Sequence, residues 1–132
     1  MNKILLSIIG LFTSCFCCCG QQKFKTIDAD EFEQMIAMPD VQLVDVRTQE
    51  EYNEGHIKEG RILNLNVQKD DFMSKAKKLL DKKRPVAVYC RSGKRSANAA
   101  TKLSEEGYEV IDLKGGILEW QSRGKKVYKE EE

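Results

Sequence analysis

The chain has 132 residues, 22 Lys and Arg against 21 Asp and Glu, and 41% hydrophobic residues, which is room for one ordinary domain and excludes a two-domain enzyme. A net charge of +1 leaves no surplus of cations to neutralise a run of phosphates and argues against nucleic acid as a partner. Five cysteines suggest a framework only until they are placed: Cys15, Cys17, Cys18 and Cys19 crowd the first 20 residues, and only Cys90 lies beyond.

Between Lys3 and Lys23 there is no charge, and Ile4, Leu5, Leu6, Ile8, Ile9, Leu11 and Phe12 form an apolar run without alternation. A basic residue near Met1, a short apolar stretch and the small residues Thr13 and Ser14 before Cys15 make the profile of an export signal. The run is shorter than the roughly 20 clean apolar residues of a membrane-spanning helix, so a permanent transmembrane anchor is the weaker reading. Leu11-Phe12-Thr13-Ser14-Cys15 resembles a bacterial lipobox, with Phe12 in place of the usual aliphatic residue and Cys19 before Gly20 as a poorer second candidate. It implies a lipid on Cys15 and a domain exported to the cell envelope, facing the periplasm, its acyl chains contributing roughly 0.8 kcal/mol per buried CH₂. Ordinary cleavage before Gln21 without a lipid is the alternative. Clustered cysteines with no His or second Cys pair at finger-like spacing do not build a tetrahedral site, so no metal is expected. Residues 1–20 are therefore read as a signal segment, and the body from Gln21 to Glu132 carries 21 basic and 21 acidic residues.

From Gln21 onward, strand-length apolar runs alternate with helix-length amphipathic segments, the pattern of a parallel sheet covered by helices. Strands are expected near Phe24–Ile27 and over Val41–Arg47, Ile62–Val67, Pro85–Cys90 and Glu109–Leu113, with a possible tail at Lys126–Tyr128. Asp28 with Glu31 looks like a capping box for a helix over Glu31–Met38, stopped by Pro39. Thr48 with Glu51 repeats that signal for a short helix closed by Gly55. Asp70–Leu80 places Phe72, Ala76, Leu79 and Leu80 on one face. Ser96–Glu106 is closed by Gly107, and Ile117–Ser122 by Gly124. Val86-Ala87-Val88-Tyr89 is apolar on both faces, as in a central parallel strand, and Cys90 stands at its carboxyl end, where open α/β sheets bind ligands.

The segment Cys90-Arg91-Ser92-Gly93-Lys94-Arg95-Ser96 takes a thiol out of a buried strand, through a short loop with a flexible glycine and three cations, into a helix. Every component favours negative charge: converging backbone N–H groups, roughly half a positive charge at the helix N-terminus, and the side chains of Arg91, Lys94 and Arg95. These surroundings favour the thiolate of Cys90, a nucleophile facing an anionic substrate. A lone strand-end cysteine is ordinarily a small buried hydrophobe; the cations, the glycine and the helix start weigh against that reading.

This loop resembles the active-site loop of the rhodanese sulfurtransferases, and two flanking motifs agree. Leu43-Val44-Asp45-Val46-Arg47, followed by Glu51-Tyr52 and Gly55-His56-Ile57, is similar to the family's N-terminal signature. Leu113-Lys114-Gly115-Gly116-Ile117-Leu118-Glu119-Trp120 is similar to its C-terminal one. Lys58–Asn64 departs by running about two residues longer than the family pattern. The resemblance covers residues 24–128 and implies a rhodanese-like α/β domain with a small central parallel sheet of about five strands and helices on both faces. It also implies sulfane-sulfur transfer, from a small anionic donor such as thiosulfate to a thiol or cyanide acceptor, through a persulfide on Cys90 and without a cofactor. Arg91, Ser92, Gly93, Lys94, Arg95 and Ser96 would then form the substrate site. Their backbone amides would stabilise the anion, Arg95 would hold the donor's oxyanion end, and Arg91 and Lys94 would attract anions. A monomer is expected.

Tyrosine phosphatases close a longer loop, Cys-x5-Arg, around phosphate. Here four residues separate Cys90 from Arg95, and the six-position counterpart is Ser96. Phosphatase or arsenate reductase activity is therefore a remote alternative. A rhodanese-fold sulfur carrier or partner-binding module without turnover is the nearer one, and thiol–disulfide exchange lacks a second cysteine in the body. His56 is expected to make a structural hydrogen bond, Asp45 and Arg47 to tie loops together, and Trp120 to anchor the core.

Overall fold

The computed structural model describes residues 24–130; the signal segment and the lipidation candidate Cys15 lie outside the described residues. Five strands, β1 (Lys25–Ile27), β2 (Gln42–Asp45), β3 (Leu63–Asn64), β4 (Val86–Tyr89) and β5 (Val110–Leu113), alternate with five helices, α1 (Ala29–Ile36), α2 (Gln49–Glu54), α3 (Phe72–Leu79), α4 (Lys94–Glu105) and α5 (Gly116–Ser122). The strands form one parallel sheet in the order β1-β5-β4-β2-β3. The expected α/β class and strand number are those observed.

Side-chain alternation along β4 divides the core between the two faces. Val86, Val88 and Cys90 join Val44, Val46 and Val110 under α3 and α4, where Phe72, Ala76, Ala99, Ala100 and Leu103 cover them. Ala87 and Tyr89 join Leu43, Ile111 and Leu113 on the opposite face, against Phe32 and Ile36 of α1 and Ile117 and Trp120 of α5. All four residues of β4 are buried, as are those of β5 beside it, so the strand that carries the cysteine is held firmly in the centre of the sheet.

Local signals account for most boundaries. The Asp28 side chain accepts from the Glu31 N–H and opens α1, and the Thr48–Glu51 capping box is complete, with Gly55 closing α2. α4 begins at Lys94, two residues before the sequence expectation, because Gly93 at φ +115° turns the loop directly into the helix. β3 is only two residues long, although the Leu65 and Val67 N–H groups still reach the Asp45 and Val46 carbonyls. The C-terminal tail contributes a single antiparallel bridge between His56 and Tyr128 rather than a strand. One expected core residue is misplaced: Leu79 is 54% exposed. The chain turns extended at Leu80, which carries Leu80 into the core instead.

Candidate active site

The sheet delivers Cys90 to its carboxyl edge, immediately after β4, with its side chain on the α4 face. The residue is 1% exposed. The loop folds back so that the Gly93 N–H donates to Cys90 Sγ at 3.0 Å, and the Ser96 hydroxyl lies 3.5 Å from the same sulfur while donating to the Gly93 carbonyl at 3.3 Å. The N-terminus of the twelve-residue α4 starts at Lys94, so its free N–H groups and dipole favour negative charge beside the sulfur.

The C-terminal motif explains why the loop holds its shape. Ile117 and Leu118, in the first turn of α5, donate their N–H groups to the carbonyls of Cys90 (2.9 Å) and Arg91 (3.2 Å). Gly116 at φ +63° makes that approach possible, since a Cβ there would overlap the Arg91 carbonyl and come within 2.6 Å of the Cys90 carbonyl oxygen. The second helix N-terminus thus fixes the backbone that the first one charges.

The three cations divide by environment. Arg91 and Lys94 are exposed, with no ion-pair partner among the described residues. Arg95 is half-buried and turned sideways, donating from both terminal nitrogens to the two carboxylate oxygens of Glu51 at 2.8 Å each. That pair draws the Glu51 carboxyl from its ordinary 4.5 down to about 2, aided by the Thr48 N–H and hydroxyl against the cost of burial, and raises Arg95 in turn. In the sequence Glu51 stands out as a capping residue and as part of the N-terminal motif; here it caps α2 and holds the Arg95 guanidinium at once.

The N-terminal motif builds a buried buttress beneath the site. Arg47 donates to both oxygens of Asp45 (2.9 and 2.6 Å) and to the Gly55 carbonyl (2.6 Å). The Tyr89 hydroxyl donates to Asp45 Oδ2 at 2.8 Å and accepts from the Ile57 N–H at 3.2 Å. Burial pushes that phenol well above its ordinary range, so its proton stays in the bond. The Asn64 amide closes the ring by donating to the Asp45 and Arg47 carbonyls. The pair therefore joins the ends of β2, α2, β3 and β4. His56 is buried, stacked on the Tyr52 ring with centroids 4.0 Å apart, and its Nδ1 is 2.8 Å from the Tyr52 carbonyl, which requires that nitrogen to donate. Trp120 packs into the core and donates to the Lys126 carbonyl at 2.9 Å.

One buried acid gives no signal in the sequence. Asp112 on β5 lies beside Val88 in the register, under the start of α4. Burial pushes its carboxyl up to about 6, against the opposing pull of the Ser96 and Thr26 hydroxyls, and its Oδ1 has no hydrogen-bond partner.

The phosphate alternative fits poorly. Position 96, where a phosphatase clamp would place its arginine, holds a fully buried serine aimed at the loop, and the guanidinium of the adjacent Arg95 is already satisfied by Glu51.

Comparison with known proteins agrees with this geometry. The family model described as "Rhodanese-like domain" matches residues 28–123. A sulfurtransferase of Allochromatium vinosum is 36% identical over 100 residues, spanning 74% of this chain and 89% of its own length. The thiosulfate sulfurtransferase GlpE of Coxiella burnetii is 36% identical over 101 residues, spanning 75% and 89%. Among solved structures, a rhodanese-related protein of Thermoplasma volcanium superposes with a TM-score of 0.70 at 29% identity, covering 81% of this chain and 100% of that one. Sequence, sheet and cysteine loop converge on one conclusion: the chain belongs to the rhodanese-like domain family and is a sulfurtransferase.

Proposed function

We propose that the protein moves sulfane sulfur from a small anionic donor, thiosulfate or a close relative, to a thiol or cyanide acceptor through a persulfide on Cys90. The observation that carries this reading is the Cys90 sulfur held under a loop whose Gly93 N–H points at it from 3.0 Å, at the start of α4. The Cys90 thiolate attacks the outer sulfur of thiosulfate; the donor's S–S bond breaks and sulfite leaves with the bonding pair. The acceptor then attacks the outer sulfur of the persulfide and returns the thiolate. Cyanide leaves as thiocyanate, and charge balances in both halves of a ping-pong cycle.

A cysteine only 1% exposed admits a donor whose reacting atom protrudes singly, as the terminal sulfur of thiosulfate does. Backbone amides of Arg91 through Ser96 form the anion cradle, acting as preorganised donors. Arg91 and Lys94 attract the donor's oxyanion end. With Arg95 bound to Glu51, its part is to hold the loop. No proton needs to be removed from an ionised thiolate, in keeping with the structural bond that occupies His56. The similar Wolinella succinogenes structure, a polysulfide-sulfur transferase homodimer at 25% identity and TM-score 0.65, supports sulfane sulfur as the cargo.

The test is thiocyanate formation from thiosulfate and cyanide, with mass spectrometry of the resting protein. A +32 Da adduct on Cys90 that cyanide removes, and loss of turnover in Cys90→Ser, are expected. Turnover equal to that of Cys90→Ser sinks the reading, and an adduct that no acceptor removes favours a carrier. We further propose that the domain works as a monomer exported to the envelope and lipid-anchored through Cys15; the supporting feature is the uncharged run before Cys15. Intact mass of the protein from its host reports cleavage and acylation together. An unprocessed Met1 overturns export, and a processed chain without acyl mass overturns the anchor.

A further inference from the structure

The cysteine loop accounts for how sulfur is loaded onto Cys90 and leaves unplaced the molecule that takes it away. A cleft of about 730 Å³ opens on the same carboxyl edge of the sheet, walled by the first turns of α2 and α3 and by the residues that end and follow β3. Its floor is apolar, formed by Leu65 and Phe72, both buried in the core cluster that also contains Cys90. Asp45 pairs with Tyr89 on one side and with Asn64 on the other. One position on, the Leu65 N–H reaches the Asp45 carbonyl as the Val46 N–H reaches that of Tyr89. Leu65, Val46 and Cys90 therefore stand in one row across the edge of the sheet, on the same face. Two strand spacings put the floor of the cleft about 10 Å from the Cys90 backbone.

The walls are rich in unspent amides. The side chains of Gln49 and Asn53 line the cleft and make no hydrogen bond among the described residues, and Asn66 spends only its Oδ1, on the Gln68 N–H at 2.9 Å. Amides offer donors and acceptors together, the complement of a peptide group. Lys75 is engaged by Asp71 at 3.5 Å, which leaves Lys69 and Glu50 without an ion-pair partner among the described residues. The lysines and acids of the lining cancel, so the cleft does not gather dianions as the Arg91 and Lys94 rim does. Lys69 can meet one carboxylate, and Glu50 opposes a second negative charge. The wall is pinned to the cysteine loop: Thr48 lines the cleft, its hydroxyl donates to Glu51 Oε1 at 3.1 Å, and that carboxylate holds Arg95.

We propose that this cleft binds the sulfur acceptor, and that the acceptor is a short peptide thiol with a single carboxylate. A chain of about three residues spans about 10 Å when extended. Its carboxylate lies at Lys69, its peptide groups lie against Gln49, Asn53 and Asn66, and a cysteine at its other end meets the outer sulfur on Cys90. The proposal rests on the Cys90 persulfide of the sulfur-transfer reading. The acceptor's thiol gives its proton to water, and the thiolate forms a bond to the outer sulfur. The Sγ–S bond breaks with its electron pair left on Cys90 Sγ, and the acceptor leaves as its own persulfide, with no oxidant or reductant consumed. Donor and acceptor thus come to one sulfur from two places, the cationic rim and the amide-lined cleft.

Two measurements on the full chain separate failure of this inference from failure of the sulfur-transfer reading. In the first, Ser-Gly-Gly, which has no thiol, is titrated into ¹⁵N-labelled protein. The side-chain amide signals of Gln49, Asn53 and Asn66 are expected to shift together and to saturate. Binding should weaken by about fivefold in Lys69→Glu, and by as much for the C-terminally amidated peptide with wild type, the size of one exposed ion pair. No saturable shift at these amides, or equal binding of the free and amidated peptides, overturns the inference. In the second, Cys90 is loaded from thiosulfate and freed of donor. Loss of the added sulfur is then timed by peptide-resolved mass spectrometry with Cys-Gly-Gly, with its C-terminal amide and with cyanide. The rate with Cys-Gly-Gly is expected to saturate. Relative to the cyanide rate at the same loading, its second-order rate constant should fall about fivefold on amidation and about fivefold in Lys69→Glu. Ratios that stay constant overturn the inference while the sulfur-transfer reading stands. A Cys90 that takes up no sulfur overturns both, even where Ser-Gly-Gly binds.

Discussion

Replacing Glu51 by Gln tests whether the Arg95 pair holds the loop. Gln retains an Oε1 acceptor for the Thr48 N–H and hydroxyl, bonds of 3.1 Å each, so the α2 cap survives while the charge is lost. A carboxyl drawn from 4.5 to about 2 corresponds to at most about 3.4 kcal/mol of stabilisation. The two side chains are 23% and 27% exposed, and solvent screening reduces the figure to about 1.5 kcal/mol. Urea unfolding at pH 7 is expected to show that loss, or a fall in midpoint temperature of about 6–10 °C for a domain of this size. Because Glu51 titrates lower in the folded chain than in the unfolded one, its contribution is complete above about pH 4.5 and fades as pH falls through about 2. The gap between wild type and variant should therefore shrink to under half by about pH 3. A gap that stays constant from pH 7 to 3, or no gap at all, would refute the ion-pair reasoning. Arg95→Met should reproduce the loss at pH 7, and the double variant should cost little more than either single one, since both remove the same bond.

Gly116→Ala forces a Cβ into the Arg91 and Cys90 carbonyls at a positive φ, and an expected cost of about 3 kcal/mol or more places it among the severe substitutions. If α5 shifts rather than the domain unfolding, the bonds from Ile117 and Leu118 to the loop break and turnover falls without loss of far-UV signal; wild-type turnover with wild-type stability contradicts the role assigned to this glycine. Tyr89→Phe removes a donor to Asp45 and strands the Ile57 N–H, with an expected loss of about 1–3 kcal/mol measured by urea unfolding. Turnover per folded molecule should stay unchanged, because Tyr89 lies on the sheet face opposite Cys90; a selective loss of turnover would place it in the chemistry instead.

The strands and helices were legible in the sequence because local rules and global packing agree there. Val86-Ala87-Val88-Tyr89 is apolar on both faces and lies at the sheet centre, and Thr48 and Glu51 cap the helix their spacing announces. Cys90 was legible for the same reason: strand end, glycine, cations and helix start are consecutive in the chain. The partners of those residues were not. Glu51 and Arg95 are 44 positions apart, and nothing in either neighbourhood marks them as a pair. Asp112 is hidden further, since a single acid in Val110-Ile111-Asp112-Leu113 reads as a polar interruption, and only the β4–β5 register beside Val88 places it on the face that also carries the Cys90 sulfur. Leu79 fails in the other direction: it is the last residue of α3 and stays exposed, while the turn to extended backbone at Leu80 takes Leu80 into the core in its place.

The division of the cations changes what the loop selects. Three free cations around one sulfur would attract any multivalent anion, phosphate included. With Arg95 satisfied by Glu51 and Ser96 buried at the six-position, what faces the sulfur is backbone N–H, a hydroxyl and a helix dipole, and these are weak, directional donors. A soft, diffuse charge such as a persulfide's outer sulfur is matched by several weak donors, whereas a phosphoryl group calls for a bidentate guanidinium. Arg91 and Lys94, exposed at the rim, supply attraction without enclosure. On this reasoning, discrimination against phosphate would come from an arginine that is present but held aside by Glu51. In Glu51→Gln the released guanidinium should therefore make inorganic phosphate a stronger competitive inhibitor of thiosulfate-dependent turnover than it is in wild type. An unchanged inhibition constant would mean that Arg95 stays clear of the loop for reasons other than its carboxylate partner.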